Sequence, residues 1–483
     1  MWQRKLSGDV GRSAYYTWRL ERPAPALPNS YFWTWDHSTN WVLDDPGIQT
    51  SGCYNAYFKQ PETFLEDYRR LTDLAAGLGI KGFTVAGFLR DSHGGVDYAK
   101  RMAAYAASQG VAVMPCFGTN WYQGIYYEGD HPYNLTVFLR NHPDARMLDE
   151  KGELREFNGE HGASPGHPAF REWLGEALRW LMDEFEIGGL NIENGDMLVD
   201  YHPLTQAMRA DWPADDPEPF FFQGLCYKLA LEAVRDRLAT SLCTYATYTG
   251  FNYGDELIQN VSMGKRPPAM LRMLPAGSVC QWTLTGMVRQ EALPLTAYLE
   301  DGAPAAAFEN PNWKADLRPP GERNVGFVHQ ASQWDHVGRY ECIVSTIKEA
   351  CLRAHRSGLE GVSIHGEVSS RHIPAALNYL AFSHFVHWPE DTVLGFGRRT
   401  LSQVLGSEKD GEEFALVLAH WDAGTLTDEL RRLAAPSNHG FTARICASNC
   451  NDVEAYQRFR FWAWLDWAVR TGARRHVATP FAL

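Results

Sequence analysis

Eight short apolar runs punctuate the chain between residues 30 and 387, at 30–35, 82–88, 111–117, 188–193, 241–245, 278–284, 324–329 and 361–365. Runs such as VAVMPCF and GFTVAGF are apolar at successive positions rather than alternating, the signature of parallel strands covered by helices. Between them apolar residues return at helical spacing: Phe64, Leu65, Tyr68, Leu71, Leu74 and Leu78; Phe170, Trp173, Leu174, Ala177 and Leu181; Ile343, Val344, Ile347, Cys351 and Leu352. Glycines at 79, 110, 188–189 and 358 turn each helix into the next strand. Strand and helix alternating eight times predict an α/β fold of the (β/α)₈ barrel type. The pattern is weakest between runs five and six and between six and seven, where Pro, Gly and Arg interrupt the helical period.

The insertions are unevenly placed. Long stretches at 118–167, 194–217 and 285–323 follow the third, fourth and sixth runs, on the strand-to-helix side where barrels carry their chemistry. After residue 388 the strand pattern stops, and helix-like stretches occupy 398–405, 412–421, 427–433 and 453–469. The expected organisation is an N-terminal segment, 1–29, packed on the barrel; the barrel, 30–387; and a helical C-terminal region, 388–483. A length of 483 residues suggests about three domains at ~150 residues each, but a barrel alone takes ~250 or more.

Composition removes several classes. Apolar residues are 45% and charged residues 21%, as in a folded globular chain and unlike a disordered one. No run approaches the ~18 apolar residues of a membrane span. A net charge of −13 argues against a nucleic-acid partner, which calls for a basic face. The start, MWQRKLSGDVGRSAYY, has basic residues but no apolar stretch behind them, so no secretory leader is expected. Of nine cysteines, Cys116, Cys243 and Cys280 lie inside apolar runs and Cys226, Cys342 and Cys351 on helical patterns; they read as packed thiols rather than a disulfide framework, and point to a cytoplasmic location. Cys446 and Cys450 with His439 amount to half a zinc site that no second CxxC or HxxxH completes, so neither metal nor cofactor is expected.

Aromatic residues are 13% of the chain, with 17 Trp, and many fall where the runs end. Strand ends carry Trp33, Trp35, Asp36, His37 and Trp41; Arg90; Asn120 and Trp121; Asn191, Glu193, Asn194 and Asp196; Tyr245; Gln281 and Trp282; His329, Gln330 and Trp334; His365, Glu367 and Arg371. Carboxylates, aromatic faces, amides, Arg and His together suit a sugar, whose ring packs on aromatics and whose hydroxyls need fixed donors and acceptors. Hydrolysis of a glycosidic bond needs two carboxyl groups, one protonated and one ionised. Glu193, ending GGLNIE beside Ile192, is the expected general acid. Glu367 is the expected base or nucleophile, and Asp196 the alternative second carboxylate. The expected substrate-binding set is Trp35, Asp36, His37, Arg90, Asn120, Trp121, Asn194, Tyr245, Trp282, His329, Gln330, Trp334 and His365. Trp35, Trp121, Trp282 and Trp334 are expected to line one pocket.

With Leu190-Asn191-Ile192-Glu193-Asn194 ending the fourth run, Trp-rich strand ends and helices after the barrel, the chain resembles the (β/α)₈ glycoside hydrolases. Residues 379–390 leading to Leu405-Gly406 are similar to the helical segment after the barrel in α-glucuronidase-like, exo-acting families. The resemblance implies an exo-acting glycosidase on oligosaccharides. The chain departs from the common retaining pattern, because the seventh run ends in His329-Gln330 with no acid before Asp335. Pairing Glu193 with Glu367 across the barrel favours a wide gap and inversion, since ~6.5–9.5 Å admits a water and ~5–5.5 Å does not. Two other readings stand beside this one: another sugar-active barrel enzyme, such as a lyase or a metal-dependent isomerase or hydrolase, and a carbohydrate-binding barrel without catalysis. Neither the sugar nor the oligomeric state is encoded in any motif.

Overall fold

The computed structural model describes residues 18–36, 60–157, 159–194, 199–214, 216, 218–246, 269–285, 322–328, 342–365, 373–439 and 453–471. Eight parallel strands close into a barrel: β1 (Tyr31–Trp35), β2 (Gly82–Ala86), β3 (Ala112–Phe117), β4 (Gly189–Ile192), β5 (Leu242–Ala246), β6 (Val279–Thr285), β7 (Arg323–Val328) and β8 (Gly361–His365). Each pairs with its sequence neighbours, and β8 pairs with β1 to complete the ring. All eight apolar runs are therefore strands, within two residues at their ends.

Because side chains alternate across a strand, each run feeds two cores. Tyr31, Trp33, Ala86, Met114, Cys116, Leu242, Val279, Val325 and Phe327 pack inside the barrel, with Trp35 against them. The intervening residues, among them Phe32, Phe83, Val85, Leu190, Ile192, Cys243 and Ile364, join the layer between strands and helices. That layer is closed by α1 (Pro61–Leu78), α2 (Gly95–Ser108), α3 (Pro168–Glu184), α4 (Glu218–Ala233), α5 (Val344–Arg356) and α6 (Ile373–His387). In α1 the residues at helical spacing named above are all buried, as the periodicity requires.

The N-terminal stretch is tied to the base of the barrel. Arg22 donates to the carbonyls of Gly77 (2.8 Å) and Ala76 (3.0 Å), satisfying the open C-terminal end of α1. Gly79 ends that helix in the left-handed region at φ 67°, and a Cβ there would collide with the Arg22 guanidinium. Leu27 N–H bonds the Val386 carbonyl at 3.1 Å, joining the same stretch to α6.

After the barrel come α7 (Glu408–Asp422), α8 (Asp428–Leu433) and α9 (Val453–Thr471). α9 packs on α6, and α7 and α8 pack on α9 and on each other; α6 is buried along its whole length and is accordingly largely apolar. Two histidines close α6. His384 is wholly buried with Nε2 3.3 Å from Asp391, and His387 Nδ1 donates to the Ser383 carbonyl at 2.6 Å. Burial holds the His387 pKa down to about 4, from an ordinary 6.5, with Arg22 and His384 adding to the shift against the Ser383 bond. The unfolded chain then binds more protons between those values, so this contribution to stability is complete above pH 6.5 and is lost as pH falls towards 4. Thermal melts of His387→Gln are expected to show a smaller loss of Tm than wild type between pH 7 and ~4. Parallel slopes for the two proteins would remove His387 from the account. No helix among the described residues is long and apolar enough to cross a membrane.

Candidate active site

Glu193 comes directly after β4, at the mouth formed by the C-terminal strand ends. Its N–H bonds the Phe117 carbonyl of β3 at 3.0 Å, so the backbone is still held by the ladder where the carboxyl departs. The side chain is 6% exposed. The next residue locks this corner. Asn194 Oδ1 accepts from Thr119 N–H at 3.0 Å, and Asn194 Nδ2 donates to Thr119 Oγ1 at 2.6 Å. From α4, Tyr227 accepts the Asn194 N–H at 3.3 Å and donates to the Ala246 carbonyl of β5, while Gln223 Nε2 donates to the Asn194 carbonyl at 3.3 Å. Gln223 and Tyr227 lie one helical turn apart, on one face of an otherwise apolar helix. That i, i+4 polar pair is the signal the sequence carried for them, and it lies away from the strand ends. Burial raises the Tyr227 pKa well above its usual value, and the charge of Glu193 adds to the shift. The phenol therefore stays protonated.

Beneath Glu193 a linked set of polar side chains crosses the otherwise apolar barrel interior. Trp33 Nε1 donates to Asn191 Oδ1 (3.0 Å), and Asn191 Nδ2 donates to Thr244 Oγ1 (2.6 Å) and Gln281 Oε1 (3.4 Å). Gln281 Nε2 continues to Ser363 Oγ (2.7 Å), which donates to the Gly326 carbonyl (3.1 Å). The chain of bonds runs from β1 through β4, β5, β6 and β8 to β7. Tyr31 lies in the same layer, its pKa raised by burial, with Cys116 and Glu193 adding to the rise and hydrogen bonds to Thr244 and Ser363 opposing it. A linked network of this kind fixes rotamers at the floor of the mouth. Asn191 and Gln281 were visible as strand-end amides; Thr244 and Ser363 were not, because nothing in isolated runs says that they face one another.

The structure corrects several expected substrate contacts. Trp282 and Tyr245 face outward into the layer between strands and helices, because each is one residue out of phase with the inward positions Gln281 and Thr244. Trp282 Nε1 donates there to Asn324 Oδ1 at 2.8 Å, and Tyr245 packs on Tyr227 with ring centroids 5.3 Å apart. Trp121 belongs to a small core under the β3 loop, with Met147, Phe222 and Cys226. Asn120 is fully buried beside it and donates to the Ala163 carbonyl at 2.7 Å, holding that loop rather than facing the mouth. Asn194 gives both ends of its side chain to Thr119. The expected single pocket of Trp35, Trp121, Trp282 and Trp334 does not form as a unit: Trp121 and Trp282 lie in two other cores. Trp35 ends β1, half-buried and edge-on to Trp33 at 5.0 Å.

Asp36 and Arg90 are drawn together, but into each other. Arg90 Nε lies 2.5 Å from Asp36 Oδ2, His93 Nδ1 lies 3.6 Å from the same oxygen, and Arg90 Nη1 lies 3.8 Å from Glu128. The guanidinium sits 5.3 Å from the Tyr127 ring centroid. Gly87, at φ 84°, admits this pair, since a Cβ there would meet Asp36 at 2.5 Å and Arg90 at 2.9 Å. Both charges are buried in a structural ion pair instead of facing a sugar. His365 ends β8, in register with Trp33. His37, Asp196, His329, Gln330, Trp334 and Glu367 lie outside the described residues, as do Trp41 and Arg371.

The outward placement of Trp282 makes a separable prediction. Trp282→Phe removes the indole N–H and its buried bond to Asn324, a loss of about 0.5–1.5 kcal/mol. Urea denaturation should record that loss while turnover stays within twofold of wild type. A Trp282→Phe protein with native stability and impaired substrate binding would return Trp282 to the mouth.

No protein-family model matches the chain, and no curated protein matches it. Solved structures do align with it. A GH138 enzyme targeting pectin rhamnogalacturonan II aligns over 85% of this chain and 45% of its own, at 8% identity and TM-score 0.46. A β-N-acetylhexosaminidase from Bacteroides fragilis aligns over 74% of this chain and 66% of its own, at 10% identity and TM-score 0.40. A maltogenic α-amylase from Thermotoga neapolitana aligns over 77% of this chain and 79% of its own, at 12% identity and TM-score 0.41. The chain thus spans less than half the length of the first and 66% of the second. Likeness at this level adds nothing to the barrel already read from the strand ladder.

Proposed function

We propose that the chain is a glycoside hydrolase that acts at the C-terminal mouth of the barrel, removing sugars from the end of oligosaccharides. Glu193 protonates the leaving oxygen, and Glu367 activates water as base. The observation that carries this reading is the Glu193 corner: a nearly buried carboxyl on a strand end, clamped through Asn194 by Thr119, Gln223 and Tyr227. Aromatic lining is not the support, since Trp121 and Trp282 lie elsewhere. A carboxyl shielded from water favours its neutral form, as a proton donor requires. The ring order adds to the case. β8 lies four strands from β4 in either direction, and Glu367 follows β8 by two residues in the sequence, which supports reading it as an acid from the side facing Glu193. Opposed walls favour the wider separation and inversion of the anomeric centre. Asp196, three residues beyond Glu193, is the alternative partner. Six cysteines buried as free thiols support a reducing, cytoplasmic setting for this activity.

The test is a panel of oligosaccharides with neutral and acidic sugars, monitored by reducing-end release and by NMR of the first-formed anomer. One substrate shortened a unit at a time, with inverted product, is the expected result. If no glycoside is cleaved yet one binds equally to wild type and to the Glu193→Gln, Glu367→Gln double variant, the barrel is a binding protein and the proposal falls.

A further inference from the structure

His439, one of three residues that suggested half a zinc site in the sequence, meets carboxylates in the fold. It ends a short 3-10 turn (Pro436–His439) after α8, and its side chain is only 2% exposed. The imidazole stacks on Trp462 of α9 with centroids 3.4 Å apart and planes 15° from parallel. Nε2 lies 2.9 Å from the Leu433 carbonyl, which can only accept, so Nε2 carries the hydrogen. A neutral ring then presents its Nδ1 lone pair to Asp410 Oδ1, 3.2 Å away. Asp410 is itself oriented: Ser407, the N-cap of α7, donates to Asp410 Oδ2 at 2.6 Å and accepts the Asp410 N–H at 3.0 Å. Glu413, one turn further along the same face of α7, completes the group, and ligand atoms of the three residues all lie within 4.8 Å of one another. One imidazole nitrogen and two carboxylates thus converge on one point, with the Lys409 ammonium 3.7 Å from Glu413 at its edge.

We propose that Asp410, Glu413 and His439 bind one divalent transition-metal cation, zinc being the best match. One imidazole nitrogen and two carboxylate oxygens suit a borderline metal, whereas calcium takes six to eight oxygens. The Nε2–H bond to a backbone carbonyl is the outer contact by which proteins usually fix a ligating histidine. Bound metal would cross-link the start of α7 to the turn after α8 and, through the Trp462 stack, to α9. The rival cations are a proton, which would make an imidazolium–carboxylate pair, and the Lys409 ammonium, whose Nζ lies 3.7 Å from Glu413 Oε1.

The experiment is calorimetric titration of Zn²⁺ into the chelator-stripped full chain, with thermal melts alongside. One equivalent is expected, with a raised Tm, and Ca²⁺ is expected to do neither. Glu413→Gln leaves the Ser407–Asp410 cap and the His439 stack in place, and should weaken Zn²⁺ at least about tenfold. His439→Asn should do the same if it folds. Zinc binding equal in wild type and Glu413→Gln, or no binding at all, overturns the proposal in favour of the proton. Loss of binding in a Cys446→Ser, Cys450→Ser protein would assign the metal to thiolates and overturn the carboxylate set.

Discussion

Glu193→Gln is expected to lower kcat/KM on the glycoside substrate by about 10²–10⁴-fold, the usual contribution of a positioned proton donor. Glutamine keeps the shape of the side chain but has no acidic proton to give. The corner that holds position 193 is made by Phe117, Thr119, Gln223 and Tyr227 through backbone and Asn194 groups, none of which needs the carboxyl. Those hydrogen bonds should therefore survive the substitution, and the variant should still fold. The loss should also depend on the leaving group. An aryl glycoside with an acidic phenol departs without protonation, so the variant should recover most of its rate there and little on an alkyl or sugar leaving group. Measured rates that fall equally for both substrates would make Glu193 something other than the acid. Near wild-type turnover on the sugar substrate would remove it from the mechanism.

Asp36→Ala is expected to destabilise the protein by about 3–5 kcal/mol, the cost of removing one member of a buried ion pair. Asp36 is 1% exposed and Arg90 7%, and Glu128, the other carboxylate near the guanidinium, is 3.8 Å from it. Urea denaturation of Asp36→Ala measures the loss. An Asp36→Ala, Arg90→Met double variant should recover part of it, since the stranded charge goes too. The sugar-contact reading of the same residues predicts something else: a raised KM with stability unchanged. A loss under ~1 kcal/mol together with a raised KM would restore that reading.

Glu193, Asp36 and Arg90 were all legible as strand-end residues, and in that sense the mouth of the barrel was visible before the fold. The role of each was less legible. Asp36 and Arg90 come from adjacent strands, and opposite charges on neighbouring strand ends can serve each other before any ligand. Asn120 and Asn194 look like donors for a sugar, but a long loop has its own buried backbone to satisfy, and the Ala163 carbonyl and Thr119 take them. The helix α4 shows the reverse. Its residues read as a plain apolar segment, yet Gln223 and Tyr227 reach the corner at Asn194.

The sequence by itself determined the number of strands, their order along the chain, the helices of clearest period, α1, α3 and α5, and the side on which the long insertions fall. Those features arise from local periodicity and from turn residues, which act over a few positions. The tertiary structure alone decided which face of each strand looks into the barrel. In a strand buried on both sides both faces are apolar, so Gln281 and Trp282, or Thr244 and Tyr245, carry no mark of direction. Only the closed ring, with its register from β1 to β8, turns Gln281 and Thr244 inward beneath Glu193 and sends Trp282 and Tyr245 out to the helices.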